Sequence, residues 1–66
     1  MHEFVFANST TGRRMVLREI RDRPSNEYKI RGMNDISNDE ETVILTGDKA
    51  ITYVKNFPGS LEILEL

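Results

Sequence analysis

Arginine supplies most of the chemical capacity of this 66-residue chain. Between residues 13 and 33 lie seven basic groups, Arg13, Arg14, Arg18, Arg21, Arg23, Lys29 and Arg31, against three acids, Glu19, Asp22 and Glu27. A guanidinium is a planar fork of donors that grips a phosphate or a carboxylate with two parallel hydrogen bonds. The block therefore points to an anionic ligand, either the phosphates of a nucleic acid or an acidic protein surface. The formal charge of the whole chain is nevertheless −2, whereas nucleic-acid modules are usually basic in total. Pairing of these arginines with nearby acids across strands, which keeps the sheet soluble, is the reading this charge balance favours.

Other chemistry is hard to assemble. His2 is the only histidine and there is no cysteine, which removes thiol catalysis, disulfides and the usual zinc ligand sets. General base and nucleophilic catalysis need a base held beside a nucleophile. A histidine at the second position of a chain is poorly placed for that. The four glycines are scattered, and Thr46-Gly47-Asp48-Lys49 lacks the spacing of a phosphate-cradling loop. Asn8-Ser9-Thr10 fits a glycosylation sequon but sits where turn chemistry is expected. Asp35 to Glu41 spaces oxygen ligands like the opening of a calcium loop. Glu40 stands where that loop needs glycine, and Thr46 where it needs a bidentate glutamate. Glu40/Glu41 and Glu62/Glu65 are the remaining carboxylate pairs for acid/base work. The expectation is a protein without enzymatic activity, metal or cofactor.

The elements that must position these residues follow from periodicity and punctuation. Glu3–Ala7 is aromatic and β-branched, and Asn8 to Gly12 is a run of small polar residues; together they predict a hairpin whose return strand runs from Arg13 to about Arg21. In that reading Met15-Val16-Leu17 makes the strand central, and Arg14 and Arg18 share one of its faces, extended by Lys29 and Arg31. Arg23-Pro24-Ser25-Asn26 is a turn. A third strand, Tyr28 to Met33, sets Tyr28 and Ile30 on one face and Lys29 and Arg31 on the other. Asn34 to Glu41 reads as a loop, Thr42 to Thr46 as a fourth strand, and Lys49 to Phe57 as a helix capped by Asp48. Ala50, Val54 and Phe57 fall on its apolar face, with Ile51 and Tyr53 beside them. Pro58-Gly59 stops the helix, and Leu61 to Leu66 is a final strand. The fold expected is α+β, a small mainly antiparallel sheet of about five strands in the order β-β-β-β-α-β, with one short helix on one face and the whole of residues 1–66 in a single domain.

No apolar run approaches the roughly 20 residues of a membrane span, and the beginning of the sequence does not resemble a secretory signal. A cytoplasmic address is expected, with no membrane partner. A domain this small buries only about 60% of its unfolded surface. A homodimer or a protein partner would cover more. Val5, Met15, Leu17, Leu64 and Leu66 are candidates for an apolar patch on the uncovered sheet face, and Leu61 to Leu66 or Glu3 to Ala7 for a sheet edge open to strand addition. The functional expectation is a small regulator or inhibitor, of the compact kind that phages encode, that binds a protein partner. Its candidate binding residues are Arg13, Arg14, Arg18, Arg21, Lys29, Arg31, Leu64 and Leu66. The alternative is a nucleic-acid module built on the arginine-rich strands.

Overall fold

The computed structural model describes residues 3–6 and 9–65, with side chains from Arg13 to Leu64. Six elements follow one another: β1 (Glu3–Phe6), α1 (Ser9–Asp22), β2 (Glu27–Asn34), β3 (Asp39–Thr46), α2 (Gly47–Asn56) and β4 (Gly59–Glu65). The α+β class is as expected. The element order is β-α-β-β-α-β, with four strands and two helices in place of five strands and one helix.

The difference lies in residues 9–22. The expected return strand at Arg13 to Arg21 is a helix. Val16 and Ile20 are fully buried and Arg13 and Leu17 half-buried, which are positions i, i+3, i+4 and i+7 of one helical face. Read with this period, Met15-Val16-Leu17 is the boundary of an apolar stripe, with Met15 exposed on its outer side. Arginine, leucine, methionine and glutamate also favour helix intrinsically. The helix ends where Arg23 precedes Pro24, because the proline ring crowds the helical conformation of the residue before it. Arg23 N–H still reaches the Ile20 carbonyl at 3.2 Å, and Asn26 N–H closes a turn on the Arg23 carbonyl at 3.1 Å.

The strands form one antiparallel sheet in the order β1-β4-β2-β3. Each helical crossover thus skips a strand: α1 joins β1 to β2 across β4, and α2 joins β3 to β4 across β2. β4 lies between β1 and β2, so the edge expected at Leu61 to Leu66 is an interior strand over its described residues, and β1 and β3 form the edges. α1 packs on α2, β1 and β4, and α2 on β2 and β3, so both helices cover the same face. Between them and the sheet lies one core of Val16, Ile20, Tyr28, Ile30, Ala50, Val54, Phe57, Leu61 and Ile63. The expected apolar face of the second helix is the one buried, and the Tyr53 and Phe57 rings pack at 5.4 Å between centroids. Asp48 is not its N-cap. That place falls to Thr46, without a side-chain capping bond, and Asp48 lies in the first turn, where its charge still complements the helix dipole.

The loop between β2 and β3 is shorter than expected, with Asp39 to Glu41 already in the strand. Asn34 organises it. Its Oδ1 accepts from the N–H groups of Ile36 at 2.8 Å and Ser37 at 3.1 Å. Asn38 adopts a φ of 60°, a left-handed conformation that asparagine tolerates. The oxygen-rich stretch thus turns a hairpin. Gly32 and Gly47 are among the glycines that mark close approaches. A Cβ at Gly32 would lie 2.6 Å from Leu61 Cδ2 and 2.8 Å from the Phe57 ring, and one at Gly47 would overlap the Pro24 carbonyl.

Candidate interaction surfaces

The helix-free face of the sheet is built by strand alternation. On β2, Tyr28, Ile30 and Gly32 face the helices, which sends Lys29, Arg31 and Met33 to the other side. The β2–β3 register sets Ile44 opposite Lys29, Thr42 opposite Arg31 and Glu40 opposite Met33. The β2–β4 register adds Leu64, Glu62 and Ser60 from the other flank. Met33 is 45% exposed and Ile44 54%. Leu64 is only 6% exposed yet stands apart from the core beneath the helices; in register it sits between Lys29 of β2 and Glu3 of β1. Arg31 is paired through Nε and Nη2 with Glu62 Oε1, its directly opposed cross-strand partner. Charge on this face is therefore partly neutralised, and apolar contact remains at Met33 and Ile44. A shallow depression of about 180 Å³ runs past Arg31, Met33, Glu40 and Glu62, smaller than the roughly 300–1,000 Å³ of ligand pockets.

The candidate basic residues do not form one surface. Arg14, Arg18 and Arg21 are exposed on the outer face of α1, at i, i+4 and i+7, and line a concavity of about 340 Å³ with Leu17 and Asp22. Lys29 and Arg31 project from the opposite side of the molecule, beyond the sheet. Arg13 belongs to neither group. It is half-buried and donates through Nη2 to the Gly59 carbonyl at 3.1 Å, joining α1 to the start of β4; its Nε is buried without a hydrogen-bond partner. The shared strand face of Arg14, Arg18, Lys29 and Arg31 depended on the strand expected at Arg13 to Arg21, and it disappears with that strand. The apolar patch divides for the same reason. Met15 and Leu17 are on α1, Leu64 is buried on the far face of the sheet, and Leu66 and the Val5 side chain lie outside the described residues.

The Glu40/Glu41 pair separates as well, and the Glu65 side chain of the other pair lies outside the described residues. Adjacent strand residues point to opposite faces, so Glu40 opens onto the helix-free side while Glu41 turns toward the helices. Glu41 is held there by Tyr53, whose hydroxyl donates to Oε1 at 3.2 Å, and by Asn34, whose Nδ2 donates to Oε2 at 2.8 Å. Burial pushes the Tyr53 phenol above its ordinary range, and the Glu41 carboxylate raises it further. Tyr28 is raised too, chiefly by burial; the Arg23 charge opposes the shift and Glu19 adds to it. The Tyr28 hydroxyl donates to the Arg23 carbonyl at 3.0 Å, fastening the end of α1 to β2. Both tyrosines are structural ties.

Sequence reasoning missed Met33, Ile44 and Ile36 as exposed apolar groups, the last 83% exposed at the hairpin tip. The signal was present in the parity of Thr42-Val43-Ile44-Leu45-Thr46, which sets Ile44 against its two neighbours. Among the described residues no cluster of three metal-binding side chains occurs, and no helix is long and apolar enough to cross a membrane. Comparison with protein-family models, with curated protein sequences and with solved structures finds no match to this chain.

Proposed function

We propose that this chain is a non-catalytic, cytoplasmic protein-binding regulator, of the compact phage-encoded kind, that covers a surface of a larger protein with the helix-free face of its sheet. The observation that carries the reading is this face itself. It is covered by neither helix, it exposes Met33 and Ile44, and its central arginine is already paired with Glu62. A neutralised ion pair flanked by exposed apolar side chains suits a protein interface, where unpaired charge is depleted. Lys29 and the acids Glu40 and Glu62 supply orientation more than affinity. Met33→Glu, an exposed change that leaves the core intact, tests it by affinity capture from nuclease-treated lysate of the source cells. A stoichiometric protein retained by the wild type and lost by the variant, with the thermal melt unchanged, supports the reading. A partner retained equally by both overturns it.

A second reading rests on Arg14, Arg18 and Arg21 lining one concavity on α1. Three forks at helical spacing suit the phosphates of a nucleic acid. Under this reading Arg14→Glu with Arg18→Glu flattens the salt dependence of binding to nucleic acid by about one unit of slope for each phosphate that is no longer neutralised. An unchanged slope eliminates it.

A further inference from the structure

We infer that the free edge of β3 is the contact through which two copies of this chain join, with Thr42–Thr46 of each running antiparallel about a two-fold axis at Ile44. The inference goes beyond the functional reading above and stands without it.

Among the described residues β3 is an edge strand, bonded to β2 on one side only. Edges of monomeric sheets are usually blunted by shortness, proline, bulges or charge, because their unpaired N–H and C=O groups invite another strand. β1, the other edge, is four residues long. β3 has eight, and its register with β2 runs without a bulge from Asp39 opposite Asn34 to Thr46 opposite Glu27. Its protection is confined to one half. Asp39, Glu40 and Glu41 carry charge, whereas Thr42-Val43-Ile44-Leu45-Thr46 has none and contains no proline.

The unprotected half reads almost the same in both directions, and a two-fold contact needs such self-complementarity. About Ile44, Thr42 meets Thr46 of the second copy, Val43 meets its Leu45, and Ile44 meets Ile44. Each pair is like with like, of the kinds that stabilise antiparallel sheets. Both faces gain cover. Val43 and Leu45 pack against the core but remain half-exposed, and Ile44 is exposed on the opposite side. Charge fixes the occupant and its register. In this pairing the Glu41 residues of the two copies are six positions apart, or about 20 Å at roughly 3.3 Å per residue, well beyond a Debye length of about 8 Å. A parallel pairing, or one centred in the acidic half, sets like charges opposite each other.

Five residues a side is a small contact, and contacts at the small end of specific interfaces are weak and transient. Sedimentation should therefore show a monomer–dimer equilibrium in the micromolar range. The absence of native cysteine allows the register to be read directly with single thiols. Under mild oxidation Ile44→Cys links to itself, Thr42→Cys alone does not, and a mixture of Thr42→Cys with Thr46→Cys does. Ile44→Lys, which opposes two cations at the axis, weakens the dimer at least tenfold while dilute samples melt as the wild type. The inference is overturned by a chain that remains monomeric at millimolar concentration, by Ile44→Cys linking no faster than a Ser37→Cys control at the hairpin tip, or by Thr42→Cys linking readily to itself, which would mean another register or a face-to-face pairing. Met33→Glu leaves this equilibrium unchanged, so the edge contact and the regulator reading fail separately.

Discussion

Single residues in this chain hold the fold together in places where a functional role was the first expectation. Glu41 accepts from Tyr53 and Asn34, Arg13 bonds the Gly59 carbonyl, and Arg31 is paired with Glu62. The two raised tyrosines carry a pH consequence. Each phenol keeps its proton longer in the folded chain than in the unfolded one, so the unfolded state releases protons first as pH rises. The associated stability is complete below the unfolded value of about 10 and is lost as pH climbs through the folded values. Alkaline titration followed by circular dichroism should show the melting temperature falling above that point, and Tyr28→Phe with Tyr53→Phe should reduce the fall. An alkaline decline that is the same in the double variant would mean that other groups drive it. At this scale the sequence was partly legible. Tyr28 and Ile30 inward against Lys29 and Arg31 outward follows from alternation alone, but the partners of Glu41 and Arg13 depend on contacts between elements distant in the chain.

Among the elements, α1 separates what local pattern can decide from what it cannot. Residues 13–21 contain both a short apolar run and a helical stripe, and a reading by strand alternation accepts the first while overlooking the second. The turn-forming residues before it, Asn8 to Gly12, support a hairpin equally well, so the choice is made by what the segment packs against. Only a helix sets Leu17 on the same face as Val16 and Ile20 while leaving Arg18 exposed; a strand would turn Arg18 inward between the two buried residues. This assignment has a direct check. Ile20→Ala empties a fully buried site and should cost about 2–5 kcal/mol, whereas Met15→Ala, on the exposed side, should stay within about 0.5 kcal/mol. Denaturant unfolding of the two variants measures both, and equal losses would refute the helical phase. The second helix was readable from its apolar face at helical spacing, β2 from its alternation, β3 as a short β-branched run ended by Gly47, and β4 from its length after the Pro58-Gly59 turn, its Leu/Glu content suiting a helix as well. Only their ends moved.

For the molecule as a whole, the sheet order decides which parts open together. β2 and β4 are paired on both sides, and β1 and β3 on one. Amide exchange on dilute, monomeric protein should be slowest in Tyr28–Gly32 and Leu61–Ile63, where it requires global unfolding, and faster in β1 and on the free side of β3. Uniform protection across all four strands would contradict that hierarchy. Charge is also distributed by topology. The sequence concentrates seven bases in residues 13–33, but the fold sends five of them to opposite sides of the molecule, three to the outer face of α1 and two beyond the sheet. No inspection of the linear charge pattern could reveal that division, because it depends on an element being helix where strand was expected.

The interior position of β4 governs the order of assembly. β4 is the latest of the six elements in chain order, and it separates β1 from β2. Until it arrives, the β2–β3 hairpin has no further strand to pair with, and β1 has no partner in the sheet at all. During synthesis, then, the five earlier elements emerge with their apolar faces unsatisfied and wait for β4 to insert between them. Folding is committed by a long-range closure, which is slow relative to local pairing. An interval of this kind, with hairpin edges and an amphipathic helix exposed, is when a nascent chain is most open to chaperones and to mispairing with its own copies.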